Sequence, residues 1–259
     1  MKPIGHAQPA GGDGAQVGAA PGQDDNQDQG PPEAGGGLAW GTTGQPVPAG
    51  LTAVPAGLPG TLTEAMLPAD PLDLLRAWMD DVVKAGLPEP TAMVLATVSA
   101  DQRPRARMVL LKGFDSDGFV FYTNRTSRKG SDLAEVPRAC LLFPWQALHR
   151  QVIVEGGVTP LSTSASEPYF HSRPRGSQLG AWASRQSTVL GSRAELEGRY
   201  QEMEQRWPEG TEVPMPDFWG GYRVQPETVE FWQGQPSRLH DRFRYTAAGD
   251  GWTVARLAP

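Results

Sequence analysis

The groups most able to do chemistry crowd between Arg103 and Lys129, where seven basic residues stand against two acidic ones. Arg107, Lys112, Arg125, Arg128 and Lys129 punctuate the apolar runs Met108–Leu111 and Phe119–Tyr122, with the Thr123 and Ser127 hydroxyls among them. Guanidinium and ammonium groups on a rigid frame suit a phosphate, because charge-assisted hydrogen bonds are the strong ones. A solvated sheet edge guarded by Lys and Arg has the same pattern, so residue types alone leave both readings open. Tyr169 and Arg173 stand four apart, with Ser177 just beyond. On a helix the phenol and guanidinium meet and suit a second phosphate; alternatively Arg173 satisfies the last helical carbonyls, which the pattern alone slightly favours. In Arg238-Leu-His-Asp-Arg242 the arginines and His240 alternate, so a strand projects all three from one face. Two cations beside an imidazole repel one another unless an anionic or electron-rich group sits among them. That favours a pocket near Trp232 over a solvated face.

Elements must hold these groups in place. The turn-rich Asp115–Gly118 between the two apolar runs predicts an antiparallel hairpin. Arg107 and Lys112 then point to opposite faces of one strand and serve different groups. Ser127–Ala134 opens a short helix whose N-terminal N–H groups add to an anion site. Upstream, Asp70 caps a helix with Pro71 at its first position, and Leu72, Leu75, Trp78, Met79 and Val82 form its apolar stripe. Thr91–Val98 reads as a strand buried on both faces. Ala139–Trp145 and Gln151–Val154 are further strands. A helix runs from Ser162–Ser166 to about Ser172, where Pro174 stops it. Ser192–Trp207 is a charged amphipathic helix. Phe218–Val224, Thr228–Trp232, Arg238–Tyr245 and Trp252–Leu257 close the sheet. Many short strands joined by short turns predict a β-barrel, mainly β with flanking helices.

The 259 residues carry 23 basic and 29 acidic side chains, a formal charge of −6. The first 70 residues hold Lys2 against seven acidic groups, so the remainder balances at 22 of each sign. A balanced folded part argues against general nucleic-acid binding. Residues 1–60 are rich in Gly, Pro, Ala, Gln and Asp and are expected to be a disordered acidic tail. The folded domain is expected over 61–259. No apolar run suits a secretory leader or a membrane span, so a cytoplasmic protein is expected. Cys140, the only cysteine, makes no intrachain disulfide and reads as a small buried hydrophobe. With four histidines and that one cysteine forming no ligand cluster, no metal is implied.

The stretches RMVLLKGF, FVFYTNRTSRK, YFHSRPRGSQLGAWASRQS, FWGGYRV and EFWQGQPSRLHDRF occur in this order. Together they resemble the pyridoxamine 5′-phosphate oxidase family from about Leu67 to the terminal RLAP. The resemblance implies a split β-barrel that binds flavin mononucleotide (FMN), as a homodimer with two sites at the subunit interface. It implies oxidation of pyridoxamine or pyridoxine 5′-phosphate to pyridoxal 5′-phosphate, with dioxygen reoxidising the flavin. By motif, Arg107, Met108, Val109, Leu110, Leu111, Lys112, Tyr122, Thr123, Arg128, Lys129, Gln151, Gln186, Ser187, Trp232 and Arg242 are similar to the FMN site. Lys112, Tyr169, Arg173 and Ser177 resemble the cradle of the substrate phosphate. Arg238 and His240 resemble the pair packed over the pyridine ring. One departure stands out: the family's Arg-x-x-Tyr arm, which folds over substrate, is replaced here by Val54-Pro-Ala-Gly57. A split-barrel flavin or deazaflavin reductase, and a non-catalytic FMN or pyridoxal-phosphate carrier, are the competing readings. The joint Tyr169/Arg173/Ser177 and Arg238/His240 sets count against the first; only turnover separates the second.

Overall fold

The computed structural model describes residues 60–259. The expectations for residues 1–59, including the missing arm at Val54–Gly57, lie outside them. Among the described residues, five α-helices flank nine strands. The helices are α1 (Pro71–Lys84), α2 (Arg128–Glu135), α3 (Thr163–Ser172), α4 (Arg175–Ala183) and α5 (Arg193–Arg206). The strands are β1 (Ala92–Val98), β2 (Pro104–Leu110), β3 (Gly113–Asp115), β4 (Gly118–Asn124), β5 (Arg138–Trp145), β6 (Arg150–Pro160), β7 (Trp219–Gln233), β8 (Asp241–Ala248) and β9 (Gly251–Arg256). They form one antiparallel sheet in the order β2-β1-β5-β6-β7-β4-β3, with β8 and β9 branching from β7. This is the expected split-barrel class.

The core lies where inward positions of successive strands converge. Phe119, Phe121, Leu141, Phe143, Val152, Phe231 and Phe243 are fully buried, and α1 closes one end with Trp78 edge-on to Phe231 at 5.2 Å. The expected cap holds: the Asp70 carboxylate accepts from the Leu72 N–H, with Pro71 in the first turn. Ser127, Ser162 and Ser192 likewise accept from backbone N–H groups at the starts of α2, α3 and α5.

Several expected elements differ. Met108–Leu111 is no arm of the Phe119 hairpin, because β2 pairs along its whole length with β1, from Ala92↔Leu110 to Val98↔Pro104. A seven-residue apolar partner one turn upstream outcompetes the downstream one. At the strand's end the Leu111 N–H bonds Thr91, whereas the Lys112 N–H bonds Val120 at 2.8 Å. The chain thus passes from one margin of the sheet to the other within two residues. The true hairpin is β3–β4, turned by Asp115 Oδ1, which accepts from the Asp117 and Gly118 N–H groups. β1 is buried on one face only, through Met93, Leu95 and Thr97. The two strands expected at Phe218–Val224 and Thr228–Trp232 are one continuous strand, β7. Its extra residue is absorbed at a bulge opposite Glu155/Gly156, and a Cβ on Gly156 would stand 1.8 Å from the Gln225 carbonyl oxygen. Cys140 is half-buried rather than buried, and desolvation, with Glu155 nearby, pushes its thiol up to about 11. Among the described residues no helix is long and apolar enough to cross a membrane.

Candidate active site

A cavity of about 600 Å³ opens between the end of β2, strand β4 and helices α3 and α4. Its lining carries four cations, Arg107, Lys112, Lys129 and Arg173, and no carboxylate. β4 contributes Tyr122 and Thr123 at its C-terminal end, and the N-cap of α2 brings Lys129 against them. The buried Lys129 Nζ donates to Thr123 Oγ1 at 3.1 Å, to Ser127 Oγ at 3.2 Å and to Gln186 Oε1. All three acceptors are neutral. Burial, with Arg107 nearby, therefore lowers this ammonium to about 8. Arg107 is fixed from below, donating to the Leu95 carbonyl at 3.0 Å and Thr97 Oγ1 at 2.8 Å. The buried Asp132 of α2 anchors Arg105 at 2.5 Å and lies 3.8 Å from Arg107. Desolvation still pushes the Arg107 guanidinium below its usual range, against the opposing effect of Asp132.

The opposite wall is aromatic. Tyr122 stacks on Tyr169 at 4.1 Å and on Trp219 at 5.4 Å, and burial raises the Tyr122 phenol. Arg173 lies over Trp219 at 4.9 Å and over Phe170 at 5.6 Å. As the C-cap of α3 it donates its backbone N–H to the Phe170 carbonyl at 3.2 Å, whereas its guanidinium Nη1 is buried without a partner. Burial lowers its pKa for that reason. Four described guanidinium nitrogens are buried and unpaired, and Arg173 alone among them lines this cavity. An unpaired buried donor costs about 1–3 kcal/mol, more when charged, and an anion in the cavity would relieve it.

The structure brings most of the expected residues to one place. Arg107, Met108, Val109, Leu110, Lys112, Tyr122, Thr123, Lys129, Tyr169, Arg173, Ser177 and Gln186 all line the cavity. Arg128 and Ser187 line an adjoining one, of about 430 Å³, which shares Arg107 and Lys129. Alternation does not separate Arg107 from Lys112, because β2 ends at Leu110 and Lys112 lies beyond the regular strand. Leu111 faces the core instead. Ser177 sits not past a helix end but inside α4, which the sequence reading missed. Ser177, Gly180, Ala181 and Ser184 of α4 and its C-cap line the cavity at i, i+3, i+4 and i+7. That spacing of small residues was the available signal. Asn124 and Trp219 were missed as lining residues too.

Gln151, Trp232, Arg238, His240 and Arg242 do not line the cavity. Gln151, Trp232 and Arg242 are register partners across β6, β7 and β8. The next row, Val152, Phe231 and Phe243, is fully buried, so the first row faces outward. Arg242 bonds Glu230 and the Ala258 carbonyl. Arg238 and His240 do not share a strand face with Arg242, because β8 begins only at Asp241. They lie in the preceding turn, where Ser237 and Arg238 both have φ near +60°. His240 packs on Trp232 at 4.6 Å, and its Nδ1 accepts from the Gln235 N–H at 3.0 Å.

Two stretches of the chain are similar to known families. Residues 79–207 match the family described as pyridoxamine 5′-phosphate oxidase. Residues 219–259 match the pyridoxine 5′-phosphate oxidase C-terminal dimerisation region. A pyridoxine/pyridoxamine 5′-phosphate oxidase of Bordetella petrii is 56% identical over 200 residues, 77% of this chain and 94% of that one. Its counterpart in Acidothermus cellulolyticus is 55% identical over 77% and 91% of the two chains. Among solved structures, PhzG from Burkholderia lata, in complex with tetrahydrophenazine-1-carboxylic acid, superposes with a TM-score of 0.72 at 32% identity, covering 77% of this chain and 98% of that one. An FMN-binding protein of Nostoc punctiforme related to pyridoxamine 5′-phosphate oxidase shares the fold, with a TM-score of 0.59 at 17% identity over 74% and 100%. With more than half of the aligned residues identical to those relatives across nearly their whole length, the chain belongs to the pyridoxamine 5′-phosphate oxidase family of oxidoreductases.

Proposed function

We propose that this chain oxidises pyridoxine 5′-phosphate and pyridoxamine 5′-phosphate to pyridoxal 5′-phosphate, with FMN as cofactor and dioxygen as electron acceptor, as a cytoplasmic homodimer. The observation that carries the reading is the charge of the cavity: four cations, no carboxylate and a buried guanidinium nitrogen left unpaired. Such a lining fits anionic ligands, and family membership narrows them to a flavin phosphate and a substrate phosphate. Arg107, Tyr122, Thr123, Lys129 and Gln186, with the β2 edge at Met108–Leu110 and with Arg128 and Ser187 next door, would hold FMN. Lys112, Tyr169, Arg173 and Ser177 would hold the substrate phosphate. Arg173 is already immobilised between aromatic faces, so little rotamer entropy remains to be lost on binding.

The outward row Gln151–Trp232–Arg242 and the Arg238–His240 turn complete the site from the partner subunit in this reading. Its support is that none of these residues lines the cavity, and that Trp232, Arg238, His240 and Arg242 fall within the segment that matches a dimerisation region. Bound FMN supplies the hydride acceptor. The protein's part is orientation of two stacked rings: a phosphate clamp on each ligand, an aromatic wall that excludes water, and Arg238 and His240 over the pyridine ring. Hydride loss leaves the 4′ carbon electron-poor, so the Arg238 cation would serve that orientation rather than stabilise the carbon itself.

The test is incubation with FMN and each substrate in air. Pyridoxal phosphate and hydrogen peroxide should form in equal amounts, with ammonia released only from pyridoxamine phosphate. Protein that takes up no FMN would overturn the reading. Protein that binds both ligands without releasing peroxide would be a carrier instead.

A further inference from the structure

Asp241 is 5% exposed and stands at the junction of three segments. Its Oδ2 accepts from the Leu62 N–H at 3.0 Å and from Gln235 Nε2 at 2.9 Å. Its Oδ1 accepts from Arg256 Nη1 at 2.9 Å, and Arg256 also reaches Glu64 at 2.8 Å. Gln235 is thereby held at both ends: the side chain by Asp241, and the backbone N–H by His240 Nδ1. Between them runs a turn with two consecutive non-glycine residues in the left-handed region, Ser237 and Arg238. Such a conformation persists only where its surroundings over-determine it. The exposed Arg238 makes no ion pair with a described residue, so the turn itself must aim that side chain. A ring nitrogen that accepts a hydrogen bond carries no proton, so neutral His240 is held with its hydrogen on Nε2, the atom left free to donate.

We infer that Asp241 is a positioning residue: acting through Gln235, its buried carboxylate fixes the strained turn that aims Arg238 and sets the His240 tautomer. This rests on the reading of Arg238 and His240 as residues over the substrate ring. Gln235→Ala is the cleanest test, since it cuts the link to the turn but leaves the bonds of Asp241 to Leu62 and Arg256 in place. In the FMN-loaded protein, kcat for pyridoxine 5′-phosphate should fall by about tenfold or more while FMN affinity and melting temperature hold. Asp241→Asn should lose at least as much, and the double variant should be no worse than Asp241→Asn alone, the non-additivity of residues acting in series. Nitrogen-15 NMR of the His240 ring provides a readout without turnover: a single Nε2–H tautomer in the wild type and a mixture in Gln235→Ala.

Full turnover in Gln235→Ala, additive losses, or an unchanged tautomer would each overturn the inference. If Asp241→Asn does not fold, Gln235→Ala decides alone. A wild type that turns over no pyridoxine 5′-phosphate sinks the functional reading instead, and the tautomer measurement still decides the positioning.

Discussion

The Lys129 ammonium is the side chain whose charge pH should control most directly. Its pKa in the folded chain is about 8, against an ordinary 10.5, chiefly through burial. Between those values the unfolded chain keeps a proton that the folded chain has released, so the ligand-free protein should gain stability as pH rises through that window. Anion binding runs the other way, because it needs the charged form. FMN affinity should be flat below pH 8 and then fall, by at most about tenfold per pH unit for one proton; Lys129→Gln should be weaker throughout and lack the break. A wild-type affinity unchanged from pH 7 to 9.5 would show that Lys129 is no cationic clamp. Arg107→Ala should cost about 1.5–3 kcal/mol of FMN affinity, the range for a hydrogen bond to a charged group. Arg173 and Arg238 should separate kinetically. If Arg173 holds the substrate phosphate and Arg238 lies over the ring, as proposed, Arg173→Ala should act mainly on KM and Arg238→Ala mainly on kcat. The opposite split would mean that their roles are reversed. Residue types made the cations of the cavity legible in sequence. What composition did not reveal is that Arg173 is left unpaired, because that depends on how Trp219 and Phe170 fold around it.

Elements were legible where local chemistry decides them and illegible where partners compete. α1, α2 and α5 announce themselves by Asp70, Ser127 and Ser192, because a cap needs only its own first turn. The pairing of β2 with β1 instead of β4 is a contest between two apolar partners, and sequence pattern does not rank them. α4 was hidden because Pro174 reads as a stop, although it also serves as the N-cap of the next helix. The start of α2 carries a sharper expectation. Replacing a helical glycine with alanine ordinarily stabilises by about 0.5–1 kcal/mol. At Gly130, however, the new Cβ would stand 2.0 Å from the Arg125 carbonyl oxygen. Overpacking of this kind costs about 1–3 kcal/mol, so Gly130→Ala should lower the melting temperature and displace Lys129 from Gln186. A variant as stable as the wild type, with unchanged FMN affinity, would show that the loop yields freely.

For the whole molecule, a monomeric mass by light scattering in a fully active sample would rule out a shared site, since the outward row would then have no cavity to complete. A chain beginning at Gly60 should keep FMN affinity and turnover within about threefold, below 1 kcal/mol. One beginning at Pro68 should not, because it removes Leu62, which is 2% exposed and whose burial is worth about 1.5–3 kcal/mol. Strand β7 has a consequence of another kind. One of its edges pairs with β6; the other is divided between β4, over Trp219–Val224, and β8, over Thr228–Gln233. β4 therefore waits about a hundred residues for its neighbour, and loop-closure entropy opposes that contact until late. On a ribosome, nascent chains short of Trp219 carry β4 and β6 with bare hydrogen-bonding edges and the Phe119 and Phe121 rings uncovered. Truncated chains of that length should be strongly aggregation-prone, and release of the last forty residues is the step at which the barrel first becomes able to close.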